Sequence, residues 1–265
     1  MQFKYLDAHC HLQFEQYAED DTVLIERMRE EGVAGIVVGV DRESSEKAVA
    51  LAAKYDHLYA SVGLHPNRVV DEAFDADFYR ALAANSKVVA IGECGLDYFR
   101  PVEVNDEIKN KQKEVLEKHI ALAAERGLPL IIHCRPSKGT QDAYQDLIAI
   151  LQGAKKKHPT LRGDIHFFVG GIQEMEALVA LDFTVSFTAV ITFARDYDAV
   201  IRAAPLTSIL AETDAPYVAP ASRRGQRNDP LAVVDVALKI AEIRGEDPET
   251  VRGTLLENAQ RLFSV

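Results

Sequence analysis

Short apolar runs rich in Val, Ile and Leu recur along the chain, and between them lie stretches in which apolar positions return every three or four residues. Unbroken apolar runs suit parallel strands buried on both faces, and the longer spacing gives a helix one apolar stripe. Eight runs predict strands over residues 5–11, 35–40, 59–65, 88–93, 130–134, 164–169, 184–188 and 209–213. Helices are predicted between them over 21–31, 44–55, 77–84, 105–126, 140–152, 173–180 and 197–203. Asp or Ser precedes several of these, and Gly32 and Gly127 follow two, as helix caps do. Two more helices, 231–244 and 248–263, come after the eighth strand.

This alternation predicts an α/β fold, a (β/α)8 TIM barrel with an extra C-terminal helix, whose active site belongs at the C-terminal ends of the strands. A doubly wound open sheet also alternates, but it usually carries fewer strands, and neither GxGxxG nor GxxxxGK followed by Ser or Thr occurs. With no linker, low-complexity segment or internal repeat, residues 1–265 read as one domain.

Composition narrows the partners. A formal charge of −11 and a pI near 5.2 make the bulk surface repel phosphate backbones. A polyanionic substrate therefore needs cations supplied locally, by clustered arginines or by metal. Three cysteines without CxxC spacing form neither a disulfide framework nor a zinc knuckle. The opening residues lack a signal-peptide run, and no stretch nears the ~18 apolar residues of a membrane span, so a cytoplasmic protein without membrane contact is expected. No obligate protein partner is evident.

Candidate chemistry gathers where the strands end. His9 and His11 close the first run, His65 the third, Glu93 the fourth, His133 the fifth, His166 the sixth, and Asp214 follows the eighth. Side chains at i and i+2 of a strand share a face, so His9 and His11 can converge on one ion at Zn–N distances of about 2.0–2.1 Å. A lone HxH is more often hydrogen-bonded packing. Here five of eight histidines and two carboxylates fall in one register, more donors than one tetrahedral ion needs. Two divalent ions with a bridging carboxylate follow, and Glu93, mid-constellation, is the best bridge. His57, His119 and His158 lie off this register and read as structural or solvated, and the "AKKK" before His158 as a wet helix end. Cys10, Cys94 and Cys134 each follow a proposed ligand, so strand alternation turns them toward the surrounding helices as packing residues.

The motifs "DAHCHL", "GLHP", "IGECGLDY", "PLIIHCR", "HFFVGG", "ETDAPY" and "RRGQRNDP" resemble, in order and spacing, those of TatD-like metal-dependent deoxyribonucleases, in the wider amidohydrolase-type barrel superfamily. The resemblance runs from His9 to the closing "NAQRLF". It implies that His9, His11, Glu93 and Asp214 serve one ion and that Glu93, His133 and His166 serve the other. It also implies cleavage of DNA phosphodiesters, commonly 3′-to-5′ from single-stranded ends, with Mg, Mn or Zn. Two departures stand out: Cys10 occupies a variable position between the ligands, and "HCRPSKGTQD" is longer than the family's HxR turn. Phosphotriesterase-type barrels share HxH but carry a carbamylated lysine at the end of strand four, where this chain has "AIGECGLDY".

Asp214 is then both ligand and the group that orients or deprotonates the attacking water, with Glu93 beside it as the second catalytic carboxylate. Substrate binding falls to His65, Arg135, Arg223, Arg224 and Arg227, the last three in one loop. Asp97 and Tyr98 either orient ligands or line the pocket, or merely close a turn. Phe99, Phe187, Phe193 and Tyr217 are the aromatics placed to touch bases, although strand-end aromatics are more often core. Two other readings stay open: a hydrolase of a small phosphoester, amide or lactone on the same barrel, and a non-catalytic metal-bound scaffold.

Overall fold

The computed structural model describes residues 3–100 and 105–265. One parallel sheet runs in chain order through β1 (Tyr5–Cys10), β2 (Val33–Val38), β3 (Leu58–Val62), β4 (Val88–Asp97), β5 (Leu130–Arg135), β6 (Gly163–His166), β7 (Phe183–Phe187) and β8 (Ile209–Ala211). Between and after them come α1 (Asp21–Glu31), α2 (Arg42–Ala52), α3 (Ala76–Leu82), α4 (Asp106–Arg126), α5 (Asp142–Lys157), α6 (Ile172–Val179), α7 (Asp198–Ala203), α8 (Val233–Arg244) and α9 (Pro248–Phe263). The sheet curls until its ends meet, with Cys10 bridging Ala215 and the Asp214 N–H donating to the His9 carbonyl at 2.9 Å. This is the predicted (β/α)8 barrel.

Local chemistry explains the elements. The six residues of β2, "VAGIVV", are all buried, as a strand covered on both faces must be. Asp41 and Ser44 exchange side-chain and backbone hydrogen bonds to start α2, and the Asn105 side chain accepts from Ile108 N–H to start α4. Most of the apolar core lies between strands and helices, while Ala259, Leu262 and Phe263 of α9 join Leu6, Ala8, Ile36 and Leu210 in a smaller cluster. Among the described residues, no helix is long and apolar enough to cross a membrane.

Several boundaries differ from expectation, and the two largest extensions are at the ends of β4 and α5. β4 runs four residues past Glu93, pairing Gly95 with His133 and Asp97 with Arg135 after a register shift between Ile91 and Cys94. "GECGLD" has too few apolar side chains to read as strand, yet glycine is what permits the pairing. At Gly95 (φ +140°) a Cβ would collide with the His133 carbonyl oxygen. α5 continues to Lys157, because three lysines in a last turn favour the negative end of the helix dipole.

Candidate metal centre

The site begins where β1 ends. Its register breaks after Asp7, and the Asp7 carboxylate accepts from the His9 N–H (3.2 Å), the Thr213 N–H (2.8 Å) and the Thr213 hydroxyl (2.5 Å). His9 and His11 then converge, their Nε2 atoms 3.2 Å apart. His11 Nδ1 lies 2.9 Å from the Val38 carbonyl, so this nitrogen carries the proton and Nε2 presents a lone pair to the site. His166, from the end of β6, stacks on His9 at 3.8 Å between centroids.

Glu93 sits at the centre with its two oxygens divided. Oε1 is 3.0 Å from His133 Nδ1, 3.1 Å from His166 Nε2 and 3.3 Å from His65 Nε2, and Oε2 is 3.5 Å from His9 Nε2. Asp214 Oδ1 approaches His11 Nε2 at 3.4 Å and His9 Nε2 at 3.8 Å. Asp214 adopts φ +53°, a left-handed conformation that aspartate tolerates better than most residues. Three overlapping sets, His9–His11–Glu93, His9–His166–Asp214 and His65–Glu93–His133, each bring their ligand atoms within 4.8 Å of one another. Imidazole nitrogens facing one another around shared carboxylates repel as partial charges unless a cation or protons lie among them. Their N and O donors fit a divalent ion.

The electrostatics agree. Burial alone would push the Glu93 carboxyl up, but the surrounding imidazoles outweigh it and hold it well below the usual carboxylate range. Asp214 behaves likewise, lowered against burial chiefly by His11. Burial works against charge on His11, His133 and His166, yet the neighbouring carboxylates keep all three above the ordinary imidazole value. For His9 burial wins, reinforced by His166, and its value falls.

Of the substrate-binding candidates, His65 reaches the centre. Its Nδ1 accepts from the Asn67 N–H at 3.1 Å, so in the neutral ring the proton sits on Nε2 and points at Glu93. The Arg135 guanidinium lies over the Phe99 ring at 4.1 Å, and that of Arg224 over Phe193 at 4.5 Å. Arg223 pairs with Asp229 at 2.5 Å, and Arg227 with Asp20 at 2.5 Å. Phe99 and Tyr217 are exposed, whereas Phe187 is buried in the core. Cys10, Cys94 and Cys134 are free thiols in the core. His57 bonds the Ile25 carbonyl, His119 is wholly internal, and His158 ends α5.

Asp97 contacts a proposed ligand and also closes the turn. It meets His133 Nε2 at 3.2 Å and accepts from the backbone N–H groups of Phe99 (2.9 Å) and Arg100 (2.8 Å). Burial opposes its ionisation, but His133 and these donors bring it down to about 2. Tyr98 instead turns its hydroxyl to Asp146 at 2.8 Å. Three buried carboxylates escaped the sequence reading: Asp7, Asp164 and Glu212. Burial pushes Asp7 well up, and burial with the Glu212 charge pushes Asp164 up to about 7. Each stands two residues before His9, His166 or Asp214, so the i, i+2 rule that found the histidines also marks the carboxylates.

Known proteins share the sequence pattern and the fold of this chain. The TatD related DNase family model matches residues 6–264. The uncharacterized metal-dependent hydrolase YabD of Bacillus subtilis (strain 168) is 38% identical, over 98% of each chain. The 3′-5′ ssDNA/RNA exonuclease TatD of Yersinia pseudotuberculosis is 33% identical, over 97% of this chain and 98% of that one. The crystal structure of YjjV, a TatD homologue from Escherichia coli K12, superposes with a TM-score of 0.88 at 30% identity over the whole of both chains. The resemblance seen in the motifs thus extends through the whole polypeptide, and the chain belongs to the TatD related DNase family.

Proposed function

We propose that this chain is a metal-dependent deoxyribonuclease that hydrolyses DNA phosphodiester bonds 3′-to-5′ from single-stranded ends, using two divalent ions, Mg, Mn or Zn. The observation that carries this reading is the divided Glu93 carboxylate, with one oxygen toward His133 and His166 and the other toward His9. His9, His11 and Asp214 would hold one ion with Glu93, and His133 and His166 the other. Such ions lower the pKa of bound water and neutralise charge building on a phosphoryl group.

The chain's own residues supply the rest. Asp214, kept ionised, turns Oδ1 to the histidines and leaves Oδ2 to take the proton of the attacking water. His65 offers an N–H from Nε2 to a phosphoryl oxygen. Arg135 and Arg224, stacked on Phe99 and Phe193, give the acidic molecule local positive charge for the backbone. Arg223 and Arg227 serve phosphate only by loosening their bonds to Asp229 and Asp20. The Yersinia relative's name, 3′-5′ ssDNA/RNA exonuclease, supports the polarity and the single-stranded substrate.

Digestion of end-labelled single-stranded DNA, with chelator or with added Mg, Mn or Zn, tests this. Wild type removes 3′ nucleotides only with metal, and Asp214→Ala is slower by roughly 10²–10⁴-fold. Faster turnover of a small phosphodiester, an amide or a lactone would transfer the site to that substrate. No hydrolysis of any of them would leave the scaffold reading.

A further inference from the structure

We infer that Glu212 is a positioning residue that receives the Nδ1 proton of His166 and so fixes Nε2 of that ring toward the metal centre. The inference deepens the proposed function and rests on His166 being a ligand.

Glu212 is fully buried, and among the described residues no lysine or arginine pairs with it. Its Oε1 accepts from the Phe167 N–H at 2.6 Å and lies 3.3 Å from His166 Nδ1, within ion-pair reach although off the ideal hydrogen-bond direction. Its Oε2, among the described residues, has no hydrogen-bond partner. A carboxyl group kept in the interior with one oxygen unmatched is expensive, and an apolar side chain would fill the space at less cost. What Glu212 faces is imidazole.

The opposite nitrogen of that ring, Nε2, is 3.1 Å from the central Glu93. When Nε2 gives its lone pair to an ion, the ring must carry its proton on Nδ1, where Glu212 Oε1 stands to accept it. The same oxygen anchors the backbone directly after the ring, since Phe167 holds φ +47°, a conformation that bulky residues rarely adopt. Because His9 stacks on His166 at 3.8 Å, a rotation of His166 would also displace His9.

The test measures metal binding rather than turnover. Zn and Mn affinities of the full chain are determined by competition with a chromophoric chelator for wild type, Glu212→Gln, His166→Asn and the double variant. Circular dichroism in excess chelator reports whether each variant is folded. Glu212→Gln is expected to weaken one of the two ions by about 10–100-fold. Since it acts through His166, it should add no more than about twofold to the loss in His166→Asn. Affinity within about twofold of wild type in Glu212→Gln, or a full additive loss in the double variant, overturns the inference. Unchanged affinity in His166→Asn fails the ligand assignment instead. Should Glu212→Gln not fold, the zinc-loaded wild type still decides. A slowly exchanging, low-field Nδ1 proton on His166 by nitrogen-resolved NMR supports the inference, and a rapidly exchanging one overturns it.

Discussion

His119 shows how much one internal ring can hold. Its Nδ1 donates to the Val115 carbonyl at 2.8 Å, which leaves Nε2 to accept the Leu64 N–H at 3.0 Å, directly before His65. Burial pushes this imidazole down to about 4. At pH above ~6.5 the ring is neutral in folded and unfolded chains alike. As pH falls from there toward 4, the unfolded chain binds a proton that the folded one refuses, and stability is lost, by about 3 kcal/mol for this residue. His119→Phe leaves the Leu64 N–H unmatched and is expected to cost about 1–3 kcal/mol at pH 7.5. Urea unfolding of metal-free protein across this range checks both, since the gap between variant and wild type should narrow toward pH 4.5. At this scale the sequence was legible where a donor ended an apolar run, as with His9, His133 and His166. What it hid were the partners: that of His119 lies 55 positions away, and Glu212 faces a ring from another strand.

Between residues and whole fold, the segments that rim the site divide into those tied down and those left facing solvent. The eighth loop is fastened to the first by Arg227 on Asp20 and by the Tyr17 hydroxyl on the Asn228 carbonyl at 2.6 Å. Arg135 and Arg224 rest on aromatic rings instead. Arg135→Ala and Arg224→Ala should therefore raise KM for an oligonucleotide and flatten its salt dependence, by about 0.7 in log–log slope for each phosphate that is no longer neutralised. Arg227→Ala should act on stability, by about 0.2–1 kcal/mol, with little change in that slope. Initial rates at several salt concentrations separate the two; a flattened slope in Arg227→Ala alone would reverse the roles. The rim was the least readable part of the chain. "RRGQRNDP" shows three arginines, but whether each meets an acid depends on Asp20 and Asp229, and only folding brings Asp20 near.

For the molecule as a whole, the barrel was legible because eight apolar runs cannot alternate with helices by accident, and the parallel ring fulfils that expectation. Family membership bears out the expectation of a metal-dependent hydrolase. Strand limits were less legible: β4 hides four residues in a glycine-bearing stretch, and β8 stops at Ala211, short of the Thr213 expected. A centre of carboxylates and imidazoles that holds ions as proposed ties the stability of the fold to them. Adding Mn or Zn to chelator-treated protein should stabilise the fold by about 2.7 kcal/mol per site at a hundredfold excess of ion over Kd, and so raise the unfolding midpoint. Because His11, His133 and His166 are held above their usual range by carboxylates that outweigh burial, ions must displace protons from them, and the effect should shrink as pH falls. Calorimetry at pH 8 and pH 6 measures this, and an ion-independent midpoint at both would deny the centre its metals.

The bond between Asp7 and Thr213 joins positions 206 apart. The bond therefore forms only across the seam between the first and last strands of the ring, and Asp214 follows Thr213 directly. Closing the ring and seating the carboxylate proposed to activate water are thus one event, since Asp7 and Asp214 take their places only where the first and eighth strands meet.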